Sequence, residues 1–215
     1  MRSKIIISLF LTVALISFST TGLAMEEGQD YFSYEGTGDD YFAIEKPDEI
    51  AVMKIIGNSS GSHFAVAGYD ADGNQTDLFV NTTSYYDGLV ALDFDYLRSG
   101  QDTTHLEVNA SGDWNVGVFP IGAADWVDVP GEISGEGDNV IILDRSENNP
   151  SLARITGNQN SNHFAVVGWH EESGWPSRAD LLINTTQSYE GTVRLDPATM
   201  ILEVTAADDW VISVE

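Results

Sequence analysis

The chain has 215 residues, of which 34 are acidic, 9 are basic and none is cysteine, and its formal net charge is −25 at pH 7. This surplus of negative charge argues against a nucleic acid or an anionic membrane surface as partner, because both require neutralising cations. The lack of cysteine excludes disulfide bonds, thiolate metal sites and cysteine catalysis. Cationic partners, divalent cations and simple solubility remain as explanations of the charge.

Residues Met1 to Ala24 have the organisation of a secretory signal peptide. Arg2 and Lys4 form a basic start, residues 5–18 form an apolar run, and Gly22-Leu23-Ala24 supplies small residues at the cleavage positions. We therefore expect a secreted, extracellular protein without a transmembrane span after cleavage. An uncleaved membrane anchor is the alternative, although the apolar run is shorter than a typical span of about 20 residues.

Short β-rich runs separated by turn signals follow, and no long segment has helical periodicity. The first group of predicted strands is 31–34, 41–44, 52–56, 63–69, 78–80, 89–94, 105–109 and 114–119. In the last of these, Trp114, Val116 and Val118 fall on one face, which predicts that Trp114 is a core residue. A short linker at Pro120 to Asp128 then leads into a second group.

The second group of runs repeats the first at an offset of about one hundred residues, which suits one whole domain per copy. The matching segments include Ser62-His63-Phe64-Ala65-Val66-Ala67-Gly68 with Asn162-His163-Phe164-Ala165-Val166-Val167-Gly168, and Asp113-Trp114 with Asp209-Trp210. We predict an all-β protein of two tandem antiparallel β-sandwich domains, jelly-roll-like and related by internal duplication. Their predicted ranges are 25–124 and 125–215.

Both halves contain the order Gly-x-Gly-Asp, Phe-Ala-Val, Asn-Thr-Thr-x-x-Tyr-x-Gly, Leu-Glu-Val and Asp-Trp. This order resembles a repeat of exported bacterial proteins of uncharacterised function, which often carry two copies in tandem. The resemblance covers nearly all of the chain after residue 24. It implies an extracellular location and a β-rich domain, and it brings no activity or catalytic residue. The second copy departs from the pattern at Ala207-Asp208-Asp209-Trp210, which lacks the glycine of Ser111-Gly112-Asp113-Trp114.

Asp70, Asp72 and Asn74 match the first three oxygen ligands of a calcium-binding loop. The rest of that pattern fails, because Gln75 stands where glycine is needed and Asn81 where glutamate is needed. Two interpretations stay open, a hairpin turn and a weak calcium site confined to the first domain. Calcium is the one cofactor that the sequence leaves open.

Trp169, His170 and Trp175 flank a loop of the second domain. Exposed aromatic rings can stack on sugar rings, so these residues are the predicted carbohydrate-binding platform. The alternative is that an aromatic residue simply ends this strand, since Tyr69 occupies the position of Trp169 in the first copy.

No motif predicts catalysis. The segment Gly57-Asn58-Ser59-Ser60-Gly61 matches the Gly-x-Ser-x-Gly nucleophile pattern, but that chemistry needs a strand-to-helix turn, and a strand is predicted to follow. His63 and His163 occupy matching positions, and neither has a second histidine at metal-binding spacing.

These patterns favour a non-catalytic extracellular protein that acts through its sandwich surfaces as a binding, adhesive or structural component. Its partner would be an extracellular protein or a glycan, and self-association through residues 25–34 stays open. A carbohydrate-binding module, with or without calcium, is the second hypothesis. A hydrolase of unrecognised type that uses Asp/Glu pairs is the third.

Overall fold

The structure, a computed structural model, describes residues 31–94, 102–172 and 175–215, without the side chains of residues 171, 172, 175, 177 and 178. The predicted signal peptide lies outside these ranges. The described residues are mostly β-strand, as predicted, and their one helical segment is a 3₁₀ turn at Ile121–Ala123. No helix within them is long and apolar enough to cross a bilayer.

Eight antiparallel strands form the first sandwich. They are β1 (Phe32–Thr37), β2 (Asp40–Ala43), β3 (Ala51–Gly57), β4 (Phe64–Tyr69), β5 (Gln75–Thr82), β6 (Tyr86–Leu92), β7 (His105–Asn109) and β8 (Asp113–Pro120). Sheet A has the order β1-β8-β3-β6, and sheet B has the order β2-β7-β4-β5. Two four-stranded sheets connected in this way form a jelly roll, the architecture that the sequence predicted.

The second sandwich repeats this strand order and adds one strand. Its strands are β9 (Asp125–Asp128), β10 (Gly131–Glu136), β11 (Asn139–Asp144), β12 (Leu152–Gly157), β13 (Phe164–Glu172), β14 (Trp175–Thr185), β15 (Tyr189–Arg194), β16 (Thr199–Thr205) and β17 (Asp209–Val214). Sheet C has the order β14-β13-β16-β11-β9, and sheet D has the order β10-β17-β12-β15. Strand β9, which comes from the predicted linker, pairs in parallel with β11.

A glycine–tryptophan contact joins the first and last strands of each sandwich. Gly36 pairs with Trp114, and a Cβ at Gly36 would lie 2.4 Å from the indole ring. The Trp114 Nε1–H donates to the carbonyl oxygen of Gly38, 2.9 Å away, and Gly38 adopts a φ of +79° that favours glycine. The same distances recur among Gly135, Gly137 and Trp210. In each Gly-x-Gly sequence, the first glycine therefore leaves room for the indole ring of the last strand, and the second supplies the carbonyl oxygen that accepts its N–H.

Both tryptophans are core residues, as predicted for Trp114 and, through the repeat, for its counterpart Trp210: Trp114 is 4% exposed and Trp210 is 1% exposed. Separate apolar clusters fill the two sandwiches, one around Trp114 and Phe64 and the other around Trp210 and Phe164. The side chains of each cluster come from the inner faces of one pair of sheets.

A third apolar cluster lies between the sandwiches, and we call it the interdomain contact. The outer face of sheet A contributes to it Val52, Leu89, Ala91 and Phe119, and the outer face of sheet C contributes Val140, Ile142 and Ile201. All seven side chains are buried. Sheets A and C are thus buried on both faces, the inner face in a sandwich core and the outer face in the interdomain contact.

Candidate functional site

Trp169 and His170, which the sequence assigned to a sugar platform, lie next to the interdomain contact. Trp169 is half-buried, its ring meets Phe94 edge-to-face at a centroid distance of 5.6 Å, and its Nε1–H donates to Glu203 at 2.8 Å. His170 is 4% exposed, with Nε2 3.3 Å from Oδ2 of Asp180 but not aligned for a hydrogen bond. His170 is buried and Trp169 is half-buried, so neither ring is freely exposed for stacking, and the Trp175 side chain lies outside the described residues. The platform stays a prediction.

The Asp70 loop has the geometry of a tight hairpin turn between β4 and β5. The Asp70 Oδ1 accepts the backbone N–H groups of Asp72 and Asn74 at 2.9 and 2.8 Å, and Oδ2 accepts the Asn74 side-chain amide at 2.9 Å. These hydrogen bonds, led by the one from the Asn74 side chain, lower the pKa of Asp70. The carboxylate is thus already engaged by its own loop, in accordance with the hairpin interpretation.

The other sequence candidates lie in turns. The segment Gly57 to Gly61 connects β3 to strand β4 rather than to a helix, and Asn58 adopts a φ of +63° there. His63 and His163 are exposed, and each places Nε2 3.2 Å from the side-chain oxygen of Asn81 and Asn184 respectively. Within the described ranges, no group of three or more His, Asp or Glu side chains is placed to hold a metal ion.

Polar groups cross the interdomain contact at Asp138. The Tyr86 hydroxyl donates to Asp138 Oδ2 at 2.6 Å, and the Leu89 backbone N–H donates to the Asp138 carbonyl oxygen at 3.0 Å. Within the second sandwich, the Ala206 backbone N–H donates to Oδ1 at 2.8 Å. Strand β6, an edge strand of sheet A, thus bonds directly to the residue that precedes β11.

Glu203 is the second carboxylate at this contact. It accepts the Trp169 Nε1–H and the backbone N–H of Ala91. Burial raises the pKa of Glu203 and of Asp138, against the opposing effect of these hydrogen bonds. Burial and the neighbouring Asp138 carboxylate likewise raise the pKa of the Tyr86 phenol. The contact therefore holds two carboxylates that favour the protonated state more than exposed ones do.

We expect the interdomain contact to strengthen on mild acidification. The pKa values of Asp138 and Glu203 lie above 3.8 and 4.5, so unfolding releases protons, and the free energy of unfolding falls as pH rises from these values through the folded pKa. Urea unfolding at pH 5 and pH 7 should give higher stability at pH 5. Glu203→Gln should reduce that difference, because it removes one titrating group.

Glu147→Gln is the matched control, because it removes the same charge from an exposed position. It should keep the full difference between pH 5 and pH 7. An identical pH dependence in the two variants would contradict the assignment to Glu203.

A cleft of about 1260 Å³ opens beside the interdomain contact. Its charged lining is mainly acidic and comprises Asp87, Asp125, Glu136, Asp138 and Asp208, with Lys54 and His163. Lys54 forms an ion pair with Asp87. The cleft therefore suits a cationic or hydroxyl-rich molecule better than an anion.

The outer face of sheet B presents an aromatic surface that sequence reasoning missed. Tyr41 is 54% exposed, stacks on His105 at a centroid distance of 5.2 Å, and meets Tyr69 edge-to-face at 5.9 Å. The Tyr69 hydroxyl donates to Glu107 at 2.7 Å. The hydrogen bond to this carboxylate raises the pKa of Tyr69. We call Tyr41, Tyr69, His105 and Glu107 the aromatic face.

The aromatic face has a buried counterpart in the second sandwich. In sheet C, the residues at the positions of Tyr41, Tyr69, His105 and Glu107 are Val140, Trp169, Ile201 and Glu203. Val140 and Ile201 belong to the interdomain contact, and Trp169 and Glu203 pack at its edge. Val140 and Ile201 are fully buried there, whereas Tyr41 is 54% exposed and His105 is half-buried, so the same surface is more open in the first sandwich.

The comparisons with known proteins give no family. No family model and no curated protein matches the chain. Among solved structures, the protein YhaK from Escherichia coli is similar at a TM-score of 0.25 and 9% identity, covering 90% of each chain. The regulatory subunit of a cAMP-independent protein kinase A is similar at TM-scores of 0.23 (Trypanosoma cruzi, bound to guanosine) and 0.22 (Trypanosoma brucei). These have 9% and 11% identity and cover 86% of this chain and 72% and 74% of theirs. Likenesses this distant carry no functional argument.

Proposed function

We propose that the protein is a non-catalytic extracellular binding or structural protein whose contact surface is the aromatic face of sheet B. The observation that carries the proposal is the unequal burial of equivalent surfaces. One copy of this surface already forms a contact within the chain, and the other copy leaves Tyr41 more than half exposed. An exposed tyrosine packed against two half-buried aromatic rings is typical of interaction sites.

The composition of the face supports recognition rather than catalysis. Tyrosine supplies a large, rigid contact area at a low cost in conformational entropy. Both oxygens of Glu107 accept hydrogen bonds within the face, from Tyr69 and from the Asn109 side-chain amide at 3.3 Å. Glu107 is therefore held in place as a fixed acceptor. The predicted signal peptide supports the extracellular location.

Carbohydrate binding is the second candidate function, and we place its proposed platform at Tyr41 rather than at Trp169. One tyrosine ring stacked on an imidazole and flanked by a fixed carboxylate offers an apolar platform beside a hydrogen-bond acceptor. A neutral sugar ring would use both.

The experiment is to compare wild-type protein with Tyr41→Ala in two assays, a glycan array and sedimentation velocity over a range of protein concentrations. A contact role for this face predicts that glycan binding or self-association occurs in the wild type and weakens in the variant. Tyr85→Ala is the control, because Tyr85 is 59% exposed and is not part of the aromatic face. The proposal fails if Tyr41→Ala changes neither assay.

A further inference from the structure

By strand order, sheet D is the counterpart of sheet A, and sheet B is the counterpart of sheet C. Each sandwich therefore carries a donor half and an acceptor half of the interdomain contact, and one molecule uses only one of each. The donor half lies on β6, the edge strand of sheet A, where the Tyr86 hydroxyl and the backbone N–H groups of Leu89 and Ala91 donate hydrogen bonds. The acceptor half lies on the side of sheet C, where Asp138 and Glu203 accept these hydrogen bonds. Duplication therefore leaves one unused donor half, on sheet D, and one unused acceptor half, on sheet B.

The unused donor half lies on β15, the edge strand of sheet D. Strand pairing places Tyr189, Thr192 and Arg194 at the positions of Tyr86, Leu89 and Ala91. Tyr189 also has the ring position of Tyr86: its hydroxyl lies 2.6 Å from a Cβ built on Gly191, and the Tyr86 hydroxyl lies 2.5 Å from one built on Gly88. The tyrosine that bonds across the contact is thus present a second time.

The unused acceptor half lies on sheet B. Asp39 keeps the local hydrogen bond of its counterpart Asp138, because its Oδ1 accepts the Ala110 backbone N–H at 2.9 Å. Asp39 is exposed, whereas Asp138 is covered by Tyr86 of the other sandwich. Glu107 stands at the position of Glu203. Both acceptor carboxylates are thus present a second time as well.

We propose that a second copy of this chain docks its β15 edge and the outer face of sheet D on the aromatic face of the first, in the geometry of the interdomain contact. Tyr189 of one copy would then face Asp39 of the next, and Arg194 would face Glu107. This inference rests on the proposed contact role of the aromatic face and names its occupant.

Charge supports a second copy as the occupant. Arg194 and Arg154 are both exposed on the outer face of sheet D, in a chain with only 9 basic residues. The aromatic face offers Glu107 and two tyrosine rings, which attract a guanidinium group by ion pairing and by cation–π contact. An arginine replaces Ala91 at the position that lies over the glutamate, so the two unused halves are complementary in charge at this pair of positions.

The two unused faces are also more polar than the interdomain contact. Thr192 and Arg194 replace Leu89 and Ala91, and Tyr41 and His105 replace Val140 and Ile201. A contact between copies is therefore weaker than the one within the chain and reversible. Because the two halves are different surfaces, it joins copies head to tail and can continue as an open chain.

The test uses charge reversal at the two ends of the contact. Sedimentation velocity of the exported protein, from about 1 μM to about 1 mM, should show mass rising with concentration. Glu107→Arg alone and Arg194→Glu alone should each weaken this association at least tenfold. An equimolar mixture of the two variants should restore it, because every junction in the mixture can then pair a glutamate with an arginine.

Glu147→Arg, with the same charge change at an exposed position outside both faces, should associate as the wild type does. Equal melting temperatures of wild type and variants check the fold, and Tyr41→Ala serves as a second variant if Glu107→Arg does not fold. Constant mass, or association that Arg194→Glu leaves unchanged, would overturn the inference, as would a mixture that fails to recover. Glycan binding that depends on Tyr41 would in that case still support the proposed contact role.

Discussion

Replacing Trp210 by alanine is expected to lower the free energy of unfolding by about 3–5 kcal/mol, the usual cost of removing a large buried aromatic side chain. Trp210 is 1% exposed and lies at the centre of the second core. Its loss leaves a cavity over Gly135 and removes the hydrogen bond to the Gly137 carbonyl oxygen. Urea unfolding followed by circular dichroism measures the change.

Trp126→Ala provides the control for this substitution. Trp126 is 58% exposed, so the same change of residue type should alter the free energy of unfolding by no more than about 0.5 kcal/mol. A loss below about 1 kcal/mol for Trp210→Ala would mean that the last strand does not close the sandwich.

Gly135→Ala should destabilise the protein by about 3 kcal/mol, at the upper end of the range for overpacked cores. The added methyl group would lie 2.4 Å from the Trp210 ring, closer than carbon atoms approach. The indole cannot move aside freely, because its Nε1–H is bonded to Gly137 at 2.9 Å. The melting temperature and urea midpoint should both fall.

The comparison variant is Gly112→Ala. A Cβ at Gly112 meets only the Ser60 hydroxyl oxygen, at 3.8 Å, which is an ordinary contact. Both substitutions reduce the freedom of the unfolded chain in the same way, so the difference between them isolates the clash. Equal stabilities of the two variants would disprove that Gly135 is needed to make room for the Trp210 ring.

Much of the strand pattern could be predicted from the sequence, because strand periodicity and turn residues act locally. The predicted strand 105–109 coincides with β7, and 114–119 lies within β8 (Asp113–Pro120). Alternation within a single strand is enough to predict that the tryptophans lie in the core. The repeat further predicted that both halves would share one architecture, and they have the same strand order.

The contact between the sandwiches could not be derived in the same way, because burial of an outer face depends on a distant part of the chain. A signal was nevertheless present. Val140-Ile141-Ile142-Leu143 and Ile201-Leu202 are apolar without alternation, which indicates strands buried on both faces. The equivalent residues Tyr41, Ala43 and His105 are exposed or half-exposed, and that difference between the copies marks the free surface.

In each jelly roll, the first strand pairs with the last strand, which is synthesised about eighty residues later. Phe32 pairs with Val118, and Gly131 pairs with Val214, so neither jelly roll can be completed before its eighth strand has emerged. Pairings between residues so far apart make folding slow and keep hydrophobic strands uncovered in the meantime. We expect the newly made chain to depend on chaperone protection up to that moment.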